Sequence, residues 1–299
     1  MRLLMLFASA ILMIAWAAVE APTAALAQSQ GWQNPCPTYT VLYKDHCYPE
    51  STPWLACGRE TGQRAIDACT AAILSGDFGD GSRESTYLWR AYLEVNQGQY
   101  DHAIADYDQV LFWRTSPDDS SAVYGARGYA YLAKGDFDHA TADYGEAIRL
   151  GRMDLTDIYR ERGIAYLYSS ALQQALADLD KASELEPKSG ETWLWLEIVT
   201  RRNKLPSRLA QATAKLNMTL WPAPVIRALL GEMQPEAVLF EAYGPVQECV
   251  GNFFIAELAL ERGAKEEAAR LFTKVVTGCD VKPEVAAANA ELRVLHSRR

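Results

Sequence analysis

Residues 124–147 read YGARGYAYLAKGDFDHATADYGEA, and residues 159–182 read YRERGIAYLYSSALQQALADLDKA. The two stretches place small and large residues at matching positions, and a looser copy begins at Tyr87, so the pattern recurs every ~34–37 residues. Small residues let two helices approach closely, and large residues fill the gap to the next pair. Such a unit cannot bury its apolar face alone, so neighbouring copies must stack. The pattern therefore predicts an all-α fold, an α-solenoid of antiparallel helix pairs.

Three copies can be aligned on a turn position, on a helix-contact position before it and on three second-helix positions after it. The turn positions are Gly98, Gly135 and Ser170. The contact positions are Ala91, Gly128 and Gly163. The second-helix positions are Ala103, Ala140 and Ala175, then Tyr107, Tyr144 and Leu179, then Val110, Ala147 and Ala182.

This alignment resembles the tetratricopeptide repeat (TPR), from Tyr87 to Pro187. The first copy departs from the family pattern at Glu94, where an aromatic residue is usual, and the third has Ser170 in place of the turn glycine. The resemblance implies a concave groove, lined by first-helix residues, that binds a protein or peptide. Carried over to this sequence, the main groove positions are Leu88, Tyr92, Asn96, Tyr129, Leu132, Arg160, Ile164, Tyr168, Arg201 and Arg202. Tyrosine and arginine suit such a face, since each combines a large contact area with a polar group.

The N-terminus has the pattern of a secretory signal. Arg2 precedes an apolar run, and Ala25-Leu26-Ala27 offers a cleavage pattern of small residues, so we expect cutting after Ala27. A retained single-span anchor is the alternative. No cysteine lies near the cleavage point, so a lipid-modified N-terminus is not expected. The expected location is periplasmic or secreted.

Six cysteines fit an oxidising compartment. Six cysteines allow fifteen pairings, and the sequence does not decide among them. Short loops close easily, which favours the local pairs Cys36–Cys47, Cys57–Cys69 and Cys249–Cys279. For the last pair, alignment on Gly263 puts the two cysteines at neighbouring ends of a helix hairpin.

The organisation along the chain is asymmetric. After a signal peptide at 1–27, residues 28–58 form a short Cys- and Pro-rich segment, irregular and disulfide-tied, in which Tyr39–Tyr43 could be a strand. The repeat array occupies residues 59–203, including an initiating helix closed by Gly76. An irregular helical connector spans 204–248, with short helices expected at 208–216, 225–230 and 235–242. A repeat-like hairpin and a helix opened by Pro283 fill residues 249–299.

The second half has a narrower resemblance. Trp193-Leu194-Trp195-Leu196, Trp221-Pro222, Phe253-Phe254 and Ala290-Glu291-Leu292, in that order, look like the C-terminal half of the NlpI-like cell-envelope repeat proteins. That resemblance implies an envelope adaptor, often a homodimer, that holds peptidoglycan hydrolases or their regulating protease. The lipid-attachment cysteine of NlpI itself is missing here, so attachment to the outer membrane is not implied.

The candidates for chemistry recur with the repeat. His102 and His139 share one repeat position, which a metal or proton site or a semi-exposed polar position would explain; we favour the second. Asp106, Asp143 and Asp178 share another, so they should form a row instead of a converging catalytic pair. Metal-ligand spacings, phosphate-binding loops and nucleophile motifs are absent from the sequence. We therefore expect no catalytic residue, no metal and no cofactor.

The sequence thus favours a non-catalytic adaptor that binds protein partners. The formal net charge of −9 argues against a nucleic-acid partner, because such binding rests on accumulated Lys and Arg, and no small-molecule substrate is evident. A cell-wall-acting enzyme with an unrecognised site and a structural homodimerisation module are the alternatives.

Overall fold

The computed structural model of the protein describes residues 40–43, 46–49, 52–79, 81–113, 120–151, 155–280 and 282–297. The signal-like residues 1–27 and Cys36 lie outside this part, so the signal peptide and the Cys36–Cys47 pair remain predictions. The chain divides into two units, Met1–Thr52 and Pro53–Arg299. The division lies before the sequence boundary expected at residue 58, because Pro53–Arg59 is a helix that packs within the second unit.

In the first unit, the described backbone forms a small antiparallel sheet. Strand β1, Thr40–Tyr43, pairs with strand β2, His46–Pro49, and Val41 lies opposite Tyr48. β1 lies within the stretch that the sequence left open between a strand and an irregular segment.

The described residues of the second unit form helices joined by turns and irregular connectors, without a strand, which confirms the predicted fold class. Its first helices are α1 (Pro53–Arg59), α2 (Gly62–Ser75), α3 (Arg83–Asn96), α4 (Tyr100–Trp113), α5 (Ser120–Lys134), α6 (Phe137–Leu150), α7 (Leu155–Tyr168), α8 (Leu172–Leu185) and α9 (Gly190–Arg202). After these come the short α10 (Leu209–Ala212) and α11 (Ala223–Leu229), a 3₁₀ helix (Pro235–Phe240), then α12 (Pro245–Glu261), α13 (Lys265–Gly278) and α14 (Lys282–Ser297).

Consecutive helices pair as the repeats require. α1 packs on α2, α3 on α4, α5 on α6 and α7 on α8, and each pair packs on the next. The small residues mark the closest approaches: a Cβ on Gly128 would lie 3.1 Å from the Tyr144 ring, and one on Gly163 would lie 2.8 Å from Cγ of Leu179. Large second-helix residues thus fill the space that the glycines leave.

The turns inside the pairs use left-handed backbone. Gly98 has φ 73° and Gly135 has φ 83°, a conformation that costs glycine little. Ser170 takes the same conformation in the third copy, with φ 66°, although it has a side chain. The turn geometry is therefore kept where the sequence departs from the family pattern.

The C-terminal part shares its core with the repeats. Trp195 of α9 is fully buried, and its ring centroid lies 5.1 Å from that of Phe253 and 5.5 Å from that of Phe254, both on α12. Phe272 of α13 joins the same cluster, 5.7 Å from Phe253. This aromatic cluster fixes α12 and α13 against the end of the array.

Two disulfides lie in the second unit, both as predicted. Cys57 joins Cys69, which fastens α1 to α2. Cys249 joins Cys279, which fastens the start of α12 to the end of α13. Cys279 comes just before Lys282, where α14 begins.

Candidate partner-binding site

The inner face of the array is formed by the first helix of each pair. α5 contacts α7, and α7 contacts α9, so these helices lie side by side in chain order. α14 packs against α5 and α7, both of them first helices, as well as against α12 and α13. The chain's own helix α14 therefore occupies the part of the groove lined by α5 and α7.

One side of α14 carries the buried residues at helical spacing. Glu284, Ala287, Ala288 and Glu291 follow one another at steps of three, one and three, which places them on one face. Ala287 and Ala288 are fully buried, Glu284 is 1% exposed and Glu291 is 8% exposed. Ala286 is buried as well, at 2% exposed, and the larger Val285, Leu292 and Leu295 pack against the same core while partly buried.

Glu291 has a direct cationic partner. Nη2 of Arg202, on α9, donates to Oε1 of Glu291 at 2.7 Å and to Oε2 of Glu257, on α12, also at 2.7 Å. The guanidinium also lies over the Tyr168 ring, 5.5 Å from its centroid. Burial raises the pKa of Glu257 to about 7, and Arg202 partly opposes that shift.

Glu284 lacks such a partner. Both of its carboxyl oxygens are buried and neither has a hydrogen-bond partner in the described part of the chain. Burial raises the pKa of Glu284 to about 8; the negative charge of Glu191 adds to the rise, and Arg160 opposes it. The Arg160 guanidinium is itself shared between Asp157 at 2.6 Å and Glu191 at 3.7 Å.

A second buried carboxyl group lies on the same wall. Tyr144 Oη donates to Oε2 of Glu161, on α7, at 2.6 Å. Burial raises the pKa of Glu161 to about 7, although Arg160 and this hydrogen bond oppose the shift. Tyr129 interacts electrostatically with both Glu161 and Glu284, and burial raises its own pKa as well. These groups make the wall around the start of α14 polar and buried.

Arg201 is also used within the chain. Its Nε contacts Oε1 of Glu197 at 2.6 Å, its Nη1 contacts Oε2 of Glu261 at 2.5 Å, and its Nη2 donates to the carbonyl of Leu229 at 2.7 Å. It joins α9 to α11 and α12. Arg201 and Arg202, predicted as groove residues, therefore hold the C-terminal part in place.

The predicted groove residues fall into two groups. Leu132 and Ile164 are fully buried, so they cannot touch a partner while the helices keep this arrangement. Tyr129, Arg160, Tyr168, Arg201 and Arg202 are partly buried. The sequence expected these seven to face a partner; the structure instead shows them on the helices that α14 and the C-terminal part cover.

The remaining three predicted residues, Leu88, Tyr92 and Asn96, lie on α3, where the inner face stays open. Tyr92 is 52% exposed and stacks on Trp89, with ring centroids 5.3 Å apart and planes 23° apart. Trp89 is 41% exposed, and its indole nitrogen donates to the carbonyl of Cys57 at 2.8 Å. Sequence reasoning missed Trp89, because the family's groove positions skip it.

The repeated aspartates have a structural role that sequence reasoning also missed. Arg90 contacts both oxygens of Asp106 at 2.7 and 2.6 Å. The same two-point contact recurs in the next two repeats, for Arg127 with Asp143 and Arg162 with Asp178. The aspartates thus form a row, as predicted, and each ties the two helices of its own repeat. The signal was an arginine sixteen residues before each aspartate.

The repeated histidines are exposed. Nδ1 of His139 lies 2.9 Å from Asp136 at the start of α6, and Nδ1 of His102 lies 3.4 Å from Oε1 of Gln99. Among the described residues, no group of three or more His, Cys, Asp or Glu side chains is placed to hold a metal ion. The described helices also include none that is both long enough and apolar enough to cross a membrane.

Comparison with known proteins agrees with this geometry. The tetratricopeptide repeat family model matches residues 84–113 and 121–150. A tetratricopeptide repeat protein from Parabacteroides merdae ATCC 43184 superposes with a TM-score of 0.53 at 16% identity, over 83% of this chain and 96% of its own. YrrB, described as a TPR protein with an unusual peptide-binding site, gives a TM-score of 0.41 at 20% identity, over 75% of this chain and 99% of its own.

No curated protein sequence matches this chain. At the identities given, the structural similarity speaks for the fold alone, and the partner of a similar protein is not carried over. Residues 84–113 and 121–150 are thus tetratricopeptide repeats, and the helix pairs that follow Pro53 form a TPR-type α-solenoid.

Proposed function

We propose that this protein is an exported, non-catalytic adaptor that holds a protein or peptide partner on the inner face of its repeats. The observation that carries the proposal is the open surface of α3. There the stacked pair Trp89 and Tyr92 is exposed beside Leu88 and Asn96, on the face where first helices of this fold are accessible. Large aromatic side chains anchor interfaces because they bury much area at little cost in conformational entropy.

The proposed location is the cell envelope, and the proposed partners are peptidoglycan hydrolases or their regulating protease. The location rests on the signal-like N-terminus and on the two disulfides, which persist in oxidising compartments. The partner class rests on the resemblance of the second half to NlpI-like proteins. N-terminal sequencing of the protein from fractionated cells tests the export step, with a mature chain starting at Gln28 as the expected result.

The binding role is tested by affinity capture from envelope extract of the native host, with mass spectrometry of the captured proteins. The test variant is Leu88→Ala/Tyr92→Ala, which removes large side chains from the open surface. Phe112→Ala is the matched control, since Phe112 is 81% exposed and lies on a second helix. Partner recovery should drop at least fivefold for the test variant alone; equal recovery from all three proteins would remove α3 as the binding surface.

Self-association is the second candidate, favoured by one observation. Phe240 and Tyr243 are 90% and 91% exposed, and Val246 close by is 61% exposed. Such a cluster of exposed apolar side chains marks an interaction surface more often than it occurs by chance. Light scattering should give a dimer mass for the wild type and a monomer mass for Tyr243→Asp; a monomeric wild type excludes this candidate.

A further inference from the structure

We propose that α14 is a displaceable occupant of the groove, and that the external partner is an amphipathic helix of the same chemistry that binds in its place. That chemistry is a run of buried small residues, Ala286 to Ala288, followed by a carboxyl group at the position of Glu291. The inference rests on the proposed adaptor function and specifies the class of partner.

The first step is the match between α14 and the groove. Arg202 donates to Glu291 at 2.7 Å, so one cationic position of the groove meets one carboxyl group of the helix. Ala287 and Ala288 are fully buried, which leaves no room there for a larger side chain. The groove therefore fits a helix that brings small residues to the contact and a carboxyl group to Arg202.

The second step is that α14 is held imperfectly. Ala286 to Ala288 bury little area each, and the larger Val285, Leu292 and Leu295 are only partly buried, which limits the apolar contribution of the helix. Glu284 loses its water on docking and gains no hydrogen bond to another described residue in exchange, which opposes docking. A partner helix with the same face and a better-matched residue at the Glu284 position would therefore bind more strongly than α14.

The surroundings of Glu284 set a pH dependence for this competition. The titratable and charged groups that act on it are Tyr129 from α5, Arg160 from α7 and Glu191 from α9. The carboxyl group keeps its proton in the docked helix up to about pH 8, whereas a solvated glutamate loses it near pH 4.5. Docking of α14 should thus weaken as the pH rises, by up to about tenfold per unit in this range.

The test uses the full chain and a fluorescein-labelled synthetic peptide with the sequence of residues 282–297. Ala287→Glu places a third carboxyl group on the buried face and should expel α14. Val294→Glu is the matched control, since Val294 is 45% exposed on the same helix. The labelled peptide should bind the Ala287→Glu protein at least tenfold more tightly than the wild type or the control. Equal affinity for all three proteins would overturn the proposal.

A second measurement covers the case in which Ala287→Glu does not fold. Hydrogen exchange of the wild type, followed by mass spectrometry, should show the α14 amides exchanging at least tenfold faster than those of α12. Equal protection of the two helices would mean that α14 does not dissociate independently of α12, which contradicts the proposal.

The two proposals fail in different ways. If the Leu88→Ala/Tyr92→Ala protein loses its partner while the peptide does not bind the Ala287→Glu protein more tightly, the adaptor function stands and α14 is not displaceable. If the peptide binds the Ala287→Glu protein but no variant captures a partner, α14 is displaceable and the adaptor function fails.

Discussion

Arg202 on α9 reaches Glu291 on α14, a residue 89 positions later in the chain, with Nη2 and Oε1 2.7 Å apart. The same nitrogen donates to Glu257 on α12 at 2.7 Å, so one guanidinium connects three helices. Because Glu291 is the one member of this trio that belongs to α14, it is the place to weaken the docking of that helix and leave the rest of the contact intact.

Glu291→Ala should loosen α14 selectively. Removal of one partner of a partly buried ion pair costs about 1–3 kcal/mol. Cleavage by trypsin at Arg293, which is exposed, should become faster, while α12 keeps its protection. Glu266→Ala on α13 is the control, since that side chain is exposed and has no ion pair among those of the described residues. Unchanged cleavage in both proteins contradicts the prediction.

Glu284→Gln should flatten part of the pH dependence of stability. The pKa of Glu284 is raised to about 8 in the folded protein and returns to about 4.5 when the chain unfolds. Below pH 4.5 Glu284 is protonated in both the folded and the unfolded protein, so it does not change the free energy of unfolding. Between pH 4.5 and pH 8 it loses its proton only on unfolding, which lowers the free energy of unfolding as the pH rises. The variant should equal the wild type at pH 5 and exceed it by about 1–3 kcal/mol at pH 8.

Urea unfolding at pH 5, 6, 7 and 8 measures the free energy of unfolding for this comparison, with Glu266→Gln as control. The difference between variant and wild type is the relevant quantity, because Glu94, Glu161 and Glu257 also have pKa values raised to about 7 and titrate in both proteins. A difference that does not change with pH would show that Glu284 is solvated in the folded protein.

Ser170→Gly should stabilise the third repeat by about 1 kcal/mol, because a side chain at positive φ is strained and glycine is not. The reverse change, Gly98→Ser, should destabilise the first repeat by a similar amount, and nothing lies within 4 Å of the added Cβ to obscure the result. Thermal unfolding followed by circular dichroism measures both. Two shifts in the same direction would mean that the left-handed turn is not the controlling factor.

Gly163→Val should destabilise the protein by about 1–3 kcal/mol, because a Cβ there would already lie 2.8 Å from Leu179. The two additional methyl groups would then force neighbouring side chains out of their places. Gly145→Ala is the matched helix glycine with room, where the nearest atom is an Arg162 nitrogen at 3.8 Å. That change should stabilise by about 0.5–1 kcal/mol through helix propensity. Urea unfolding distinguishes the two; equal effects would rule out the proposed close contact.

The repeat periodicity was sufficient to predict the helix pairs, because it reports contacts between residues close in the chain. Tyr107, Tyr144 and Leu179 are buried where the alignment put the large residues, and the left-handed turn at Ser170 follows from its alignment with Gly98. Local patterns of this kind are repeated three times, so chance departures in one copy do not hide them.

The occupied groove could not be predicted in this way, since α14 reaches it from far along the chain. In the sequence, Val285, Ala288, Leu292 and Leu295 follow a helical spacing that predicts one packed side. In the structure α14 has two packed sides, one against α5 and α7 and another against α12 and α13. Glu284 and Glu291 are therefore buried as well. Periodicity does not show which distant helix covers a face of the array. The groove positions of the family apply only where the inner face is left uncovered.

The Cys249–Cys279 disulfide determines how strongly a partner must bind to compete with α14. It holds Cys279 on α12, three positions before α14 begins, so α14 is tethered beside the groove at an effective concentration on the order of millimolar. A partner that is free at micromolar concentration must then have roughly a thousandfold higher intrinsic affinity than α14 to occupy half of the molecules. Reduction of the disulfide would let the end of α13 fray and lengthen the tether, which lowers that requirement. The bond thus keeps the tether of α14 short and raises the affinity that a competing partner needs.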